Sequence, residues 1–504
     1  MRAELTGNQI DVAAEETAGS DDLVQDLELD RLFDVMGAGD RFVRRVARAA
    51  ILAPLTDPAL ITIRQHVLLD CCAHPEALVA LNSIAIGAEE SRRNSLLMFM
   101  SGRSRPEVVL SNSVRMLRIL VGCLDELRLW CARWTPQLRS EAFGQFAAMV
   151  AHDLDDVYMA QVNDCLRELS FVDGQLMSAG VGPDGQVVGE VLRRVKQENR
   201  RLLSRVALGR PHFSFTMPDR DEAGFSVLRD VRDRSLGAVA EAAAQATDHV
   251  LAFFSQLRVQ TAFYLGVGNL RAALLSLGGA QCTSDPLTSG GVRAAGLYDP
   301  CLALRLGRVP VGSDIDLGAG EILVVTGANH GGKSTFLRAL GVAQLLHQVG
   351  APVAATTFAA RPVGAVFTHW AREEDAELEH GKLDEELARM HAIVEHIRPG
   401  DLLLSNESFS STNEVEGSQI AFEVMKGLAS VGVQVRCVTH MFDLAQRVGE
   451  DPGLDALFLR APRDASGNRS YRLVPGRPLR TSFARDLFDE VFGTHLAAEP
   501  SRRD

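Results

Sequence analysis

Eight consecutive residues, Gly327-Ala328-Asn329-His330-Gly331-Gly332-Lys333-Ser334, satisfy the pattern G-x-x-x-x-G-K-[ST] in full. They follow the apolar run EILVVT (321–326) and lead into STFLRALGVAQLL, which reads as a helix. No other stretch constrains the fold as tightly, because this pattern works only where a strand ends in a glycine-rich loop that opens a helix. The glycines let backbone N–H groups curl around phosphate oxygens, Lys333 can reach the β and γ phosphates, and Ser334 can ligate Mg²⁺. A glycine-rich turn with a chance GKS is the bland alternative. Strand, loop and helix agree with each other, and that weighs against it. The loop, with Thr335 behind it, predicts a site for ATP and Mg²⁺.

The text around this loop changes grammar once. From about 21 to 277 it is helical, with apolar stripes at 21–36, 41–53, 57–72, 76–100, 107–131 and 136–170. In the first stripe, Leu23, Leu27, Leu29, Leu32 and Phe33 share one face, and Asp21 or Asp22 is the expected N-cap. Residues 178–189, SAGVGPDGQVVG, read as a loop or linker. The stretch 225–265 predicts one long helix of about 40 residues, some 60 Å at ~1.5 Å per residue. Such a helix serves as a lever or as a plain bundle core. After 278–291 the runs at 321–326, 363–370, 401–405, 433–440 and 455–461 alternate with helical segments, which predicts a mostly parallel sheet with crossover helices.

Composition narrows the setting. No apolar run approaches the roughly 18 residues of a membrane span. The polar, acidic N-terminus has no signal-peptide core, so residues 1–20 are expected to form a disordered tail on a cytoplasmic protein. The eight cysteines form no C-x-x-C pair and read as reduced, buried, small side chains. A net charge of −13 disfavours a nucleic-acid binder that relies on its whole surface. Lysine occurs only at 196, 333, 382 and 426. One basic stretch stands out: Arg193, Arg194, Lys196, Arg200, Arg201, Arg205 and Arg210 share 191–210 with a single acid, Glu198. On a helix they make a face that could track DNA phosphates, or an ordinary solvated face.

Two further groups complete a candidate site. LLLSNES (402–408) is a short apolar strand ending in Asn406–Glu407, where Glu407 is placed to polarise an attacking water. VQVRCVTH presents His440 at a strand end, where it could sense a γ phosphate. By itself it would be a hydrogen-bonded strand-end histidine.

At these residues the chain resembles the ATPase domain of the MutS family of DNA mismatch repair proteins. TGANHGGKSTFLRALGVAQLLHQVGAPVAA is similar to the family's TGPN-M-GGKST loop and following helix, VFTHWAREED to its IFTR…DD stretch, NESFSSTNEVEG to DE…GTST..G, and VTHMFDL to TH-[YF]-x-L. The likeness covers about 290–485. A weaker one in DLELDRLFDVM, ITIRQHVLLDC and FFSQLRVQTAFYLGVGNL extends it to 21. The resemblance implies a disordered tail (1–20), an α-helical core and lever (21–285), an α/β P-loop NTPase domain of the ABC type (286–495) and a C-terminal tail (496–504). It implies a homodimer with nucleotide sites at the subunit interface.

The sequence departs from the family in three places. About 20 residues precede the core where the family has a mismatch-reading domain, and the one F-x-E, Phe488-Asp489-Glu490, stands near the C-terminus, so mismatch reading by the family's usual wedge is not expected. Asn406 occupies the place of the family's aspartate, which holds a magnesium-bound water through its carboxylate; an amide keeps the acceptor oxygen and loses the charge. Neither Ser nor Thr occurs between Thr368 and Ser405, where the family has a serine that touches the opposite subunit's γ phosphate. The charged run there is a solvated helix face or a replacement for that contact. The expectation is a slow Mg-ATPase acting as a clamp or sensor on double-stranded or branched DNA, in mismatch repair or recombination. The alternative is a nucleotide-dependent protein-interaction scaffold that binds no DNA.

Overall fold

The computed structural model describes residues 4–13, 19–96, 105–171, 174–193, 216–218, 220–327, 331–371, 381–462 and 470–478. A helical N-terminal region is followed by an α/β region with mixed sheets. By packing, the chain divides into two units, one made of 76–139 and 143–261 and the other of 4–75, 140–142 and the chain from 262 onward. The segment 21–75, assigned by sequence grammar to the helical half, thus packs with the α/β region.

The first unit is built from helices Pro75–Leu96, Pro106–Trp134, Glu141–Asp153 and Asp156–Glu168, and from most of helix Glu222–Ser276. The apolar stripe of Pro106–Trp134 (Leu110, Val114, Leu120, Leu124, Leu127) is buried. Trp130 packs on Phe143 and Phe146 at 5.8 and 6.5 Å between ring centres, and its indole N–H donates to the Ala77 carbonyl at 2.8 Å. The expected 136–170 helix is two helices, because Asp155 caps a new one by accepting from the Tyr158 N–H at 2.7 Å. The long helix has 55 residues rather than about 40.

The glycine-rich 178–189 is not a linker. It lies in an antiparallel hairpin of β1 (Leu176–Val181) and β2 (Val187–Arg193). Gly185, at φ 73°, lies in the turn between them. The basic helix expected over 191–210 is corrected at its start: 191–193 are strand, and Arg193 Nε donates to Ser178 Oγ at 2.8 Å. Arg194, Lys196, Arg200, Arg201, Arg205 and Arg210 lie outside the described residues.

In the second unit six strands form one sheet in the order β12-β11-β6-β10-β9-β8. The strands are β6 (Ile322–Gly327), β8 (Val366–Trp370), β9 (Leu402–Asn406), β10 (Gln434–Val438), β11 (Ala456–Ala461) and β12 (Val474–Pro475). All neighbours are parallel except β11 and β12. The five parallel runs match the sequence expectation. They read as continuous apolar text because both faces of the sheet are covered. Helices Lys382–His396, Glu414–Ser430 and Phe442–Glu450 supply Met390, Ile393, Met425, Leu428, Leu444 and Val448 to one face, against Ile322, Val324, Leu403, Val435 and Cys437. Helix Lys333–Gln348 touches β6, β9 and β10 and is buried along most of its length. The charged run around 382–396 buries Glu386, Met390 and Ile393 and leaves most of its other charges on an outer face. A second sheet, β3 (Asp285–Pro286), β7 (Thr357–Ala360), β4 (Val292–Leu297) and β5 (Ser313–Leu317), in that order, was not anticipated.

Two N-terminal expectations change. The 21–36 stripe is two helices, Ser20–Asp26 and Leu29–Gly37, separated at Glu28 with φ 54°, and Gly19 rather than an aspartate is the N-cap. Its five apolar residues are all buried. Residues 4–13 are not a free tail: Leu5 and Thr6 are fully buried, and Tyr264 Oη donates to the Leu5 carbonyl at 2.6 Å. Arg64, itself buried, donates to the Thr6 carbonyl at 3.0 Å and to Asn8 Oδ1 at 2.6 Å.

Among the described residues no disulfide forms, and Cys71, Cys131, Cys301 and Cys437 are buried as expected while Cys165 is exposed. Among the described residues no single helix is long and apolar enough to cross a membrane.

Candidate functional site

β6 ends at Gly327, whose φ of 113° suits glycine; a Cβ there would lie 3.0 Å from both the nitrogen and oxygen of Ala461 on β11. Ala328, Asn329 and His330 lie outside the described residues. Gly332, at φ 90°, turns the chain into helix Lys333–Gln348, and no side chain caps that helix. Its first N–H groups and the positive end of its dipole therefore face the loop, an arrangement that favours an anion.

The sheet order puts β10 between β6 and β9, so the ends of three strands converge. Lys333 Nζ donates to the Gly327 carbonyl at 3.0 Å and stands 3.6 Å from Glu407 Oε1. Glu407 begins the turn after β9, and its N–H donates to the Val438 carbonyl at 2.9 Å. Its φ of 56° is a left-handed conformation that costs a non-glycine residue of the order of 1–2 kcal/mol. Glu407 Oε2 accepts from the His440 backbone N–H at 3.0 Å and from the His440 ring at Nδ1. Burial works to raise the Glu407 carboxyl, but the His440 hydrogen bonds and the Lys333 charge together hold it below its ordinary value. The Glu407 hydrogen bond raises His440, and burial lowers Lys333 against the pull of Glu407. The cluster is a carboxylate held toward its ionised form by the Lys333 ammonium and the His440 hydrogen bonds.

Beside it, Ser334 Oγ donates to Asn406 Oδ1 at 2.8 Å. Asn406 is buried at the end of β9, and its carbonyl accepts from the Ala371 N–H at 3.0 Å. Hydroxyl and amide oxygens are hard donors of the kind Mg²⁺ accepts. They fit that ion by type and give it no negative charge.

Gly331, Gly332, Lys333, Ser334, Thr335 and Glu407 open onto one cavity of about 830 Å³. Its other wall was not legible in the sequence. Tyr298, Leu302, Leu306, Val309 and Pro310 come from β4–β5 and the short helix between them, and Tyr471 comes from the strand-poor segment before β12. These are ordinary apolar residues in no motif, and only their meeting across 160 residues of chain marks them. His440 and Asn406 join the site through Glu407 and Ser334 rather than by lining the cavity. Of the predicted DNA contacts, only Arg193 is described, and it belongs to the other unit.

Two family models match the chain: the MutS2 N-terminal domain over residues 56–277 and MutS domain V over 323–474. The DNA mismatch repair protein MutS of Synechococcus sp. (strain CC9605) is 28% identical over 286 residues, which is 50% of this chain and 31% of that protein. Its counterpart in Synechococcus sp. (strain WH7803) is 30% identical over 180 residues, 33% of this chain and 20% of that protein. The chain thus spans under a third of the length of these curated relatives.

Proposed function

We propose that this chain, which belongs to the MutS family, binds Mg-ATP in the 830 Å³ cavity and hydrolyses it slowly. In this reading 286–495 is a P-loop NTPase domain and 21–285 a helical core and lever. The triphosphate lies along the loop Gly327–Thr335 with Lys333 against its β and γ oxygens. The base lies toward Tyr298, Leu302 and Tyr471. Ser334 and Asn406 would hold Mg²⁺, which when bound neutralises charge on the phosphate oxygens. Glu407 orients the attacking water and takes its proton as the water oxygen bonds to the γ phosphorus and the bond to ADP breaks. His440 steadies Glu407 and faces the same phosphate. The observation that carries this reading is the Lys333–Glu407–His440 cluster at the converging ends of three strands.

The relatives are named as DNA mismatch repair proteins, and from this we infer a wider activity on DNA: a cytoplasmic homodimer with nucleotide sites at its interface, acting as a clamp or structure sensor on double-stranded or branched DNA in mismatch repair or recombination. A second reading, a nucleotide-dependent scaffold for a protein partner, is favoured by Asn406 and by the net charge of −13. The test is steady-state ATP hydrolysis with Mg²⁺, with and without duplex, mismatched and branched DNA, against Glu407→Ala as the blank. Turnover above the blank that DNA alters supports the first reading. ATP binding with turnover no higher than the blank, and no salt-sensitive DNA binding, leaves the scaffold.

A further inference from the structure

Glu407 is not the only left-handed residue in its turn. Phe409, two residues on, has φ 60°, is 1% exposed, and stacks on His369 at 5.4 Å between ring centres. Two bulky or charged residues in this region within three positions store strain that the surroundings must offset. The offset comes from a buried polar network behind the turn. Ser408 Oγ, between the two strained residues, donates to His369 Nδ1 at 2.6 Å, accepts from Ser405 Oγ at 2.8 Å, and lies 3.0 Å from the His369 carbonyl oxygen. His369 Nε2 donates to the backbone carbonyl of Glu386 at 3.0 Å.

The Glu386 side chain closes this network. It is 7% exposed on helix Lys382–His396, and its carboxylate accepts from Ser411 Oγ at 3.1 Å. Helix Lys382–His396 therefore holds the turn that Glu407 begins at its end, through the Glu386 carboxylate, and from behind, through the Glu386 carbonyl and His369. Removing the carboxylate frees the Ser411 hydroxyl and leaves the left-handed backbone with less to hold it. The relaxed turn would carry the Glu407 carboxylate away from His440.

We propose that Glu386 is a positioning residue for Glu407: through the Ser411 hydroxyl it clamps the 407–411 turn, so the placement of helix Lys382–His396 against that turn sets where the Glu407 carboxylate points. The consequence for turnover rests on the nucleotide reading above; the geometric claim does not. Helix Lys382–His396 thereby gains a direct mechanical connection to the proposed general base. Anything that shifts this helix changes hydrolysis without touching the phosphate loop.

The test uses the full chain with ¹⁵N-labelled histidine and follows the His440 ring signal, which reports the hydrogen bond to Glu407. Glu407→Ala supplies the signal of the broken bond. In Glu386→Ala the His440 signal is expected to move most of the way to that reference, and Glu386→Gln, which keeps an acceptor oxygen, should stay near the parent. Ser411→Ala, on an exposed side chain, is expected to move it partway and guards against a Glu386→Ala protein that does not fold. ATP turnover should fall about tenfold in Glu386→Ala with nucleotide affinity within about twofold, the pattern of a lost transition-state interaction. A His440 signal unchanged in folded Glu386→Ala, or unchanged in Ser411→Ala when the former is unfolded, overturns the proposal. A parent with no turnover at all counts against the nucleotide reading alone, because the His440 signal still decides the clamp.

Discussion

The Ser334 hydroxyl donates to the Asn406 amide oxygen at 2.8 Å, joining the first turn of the loop helix to the end of β9. The position is one where a carboxylate would add charge to a metal site, and the amide supplies only its dipole. Asn406→Asp is expected to lower the Mg²⁺ concentration needed for half-maximal ATP binding by about tenfold or more, the scale on which a supporting metal partner acts. Titrating Mg²⁺ into both proteins with a fluorescent ATP analogue checks this. Equal midpoints would mean that Asn406 has no part in the metal site.

Lys333 is buried, and burial is the largest influence on its charge. Lys333→Met keeps the volume and removes the cation, while Glu407 retains both bonds from His440. ATP affinity is expected to fall about 10- to 100-fold, as for a lost charged hydrogen bond, with Tm held within a few degrees. Calorimetric titration alongside thermal unfolding separates the two effects; a large Tm loss with modest affinity change would argue that Lys333 is structural.

The Glu407–His440 pair sets a pH window. Glu407 lies below its ordinary 4.5, so its contribution to stability stands above that value and is lost as pH falls through the folded value. His440 lies above its ordinary 6.5, so its contribution stands below that value and is lost as pH rises through the folded one. The Tm difference between the parent and His440→Gln should therefore be greatest between the ordinary values 4.5 and 6.5 and shrink as pH rises through the raised His440 value. A difference independent of pH would show that the two groups do not share charge.

Leu5 tests the packed N-terminal segment. It is fully buried and its carbonyl accepts from Tyr264. Leu5→Ala should cost about 2–5 kcal/mol in urea unfolding, as for a core leucine; a change near zero would return residues 4–13 to the role of a loose tail.

How much of this could be read in advance varies by element. The five parallel strands and helix Lys333–Gln348 were legible because continuous apolar text and a glycine-rich loop are local properties of adjacent residues. The stripe at 21–36 was read correctly as buried, but its break at Glu28 was not, since nothing in the residue type announces a left-handed backbone there. The hairpin Leu176–Arg193 is not legible, because the glycines of 178–189 read as a loop or linker and its valines do not alternate. Glu386 looked like one charge among many on a solvated helix. Only the turn that folds against it shows otherwise.

The sequence by itself determined the glycine-rich loop after β6, the acid after β9 and the histidine after β10, because each is written in a few neighbouring residues whose backbone needs are local. Tertiary structure alone decided that β10 would lie between β6 and β9, that Tyr298 and Tyr471 would face one cavity, and that Glu386 would grip the turn of Glu407. Those are meetings of distant segments. They are fixed by which surfaces can be buried together on the two faces of a sheet, and no single stretch of chain carries that information.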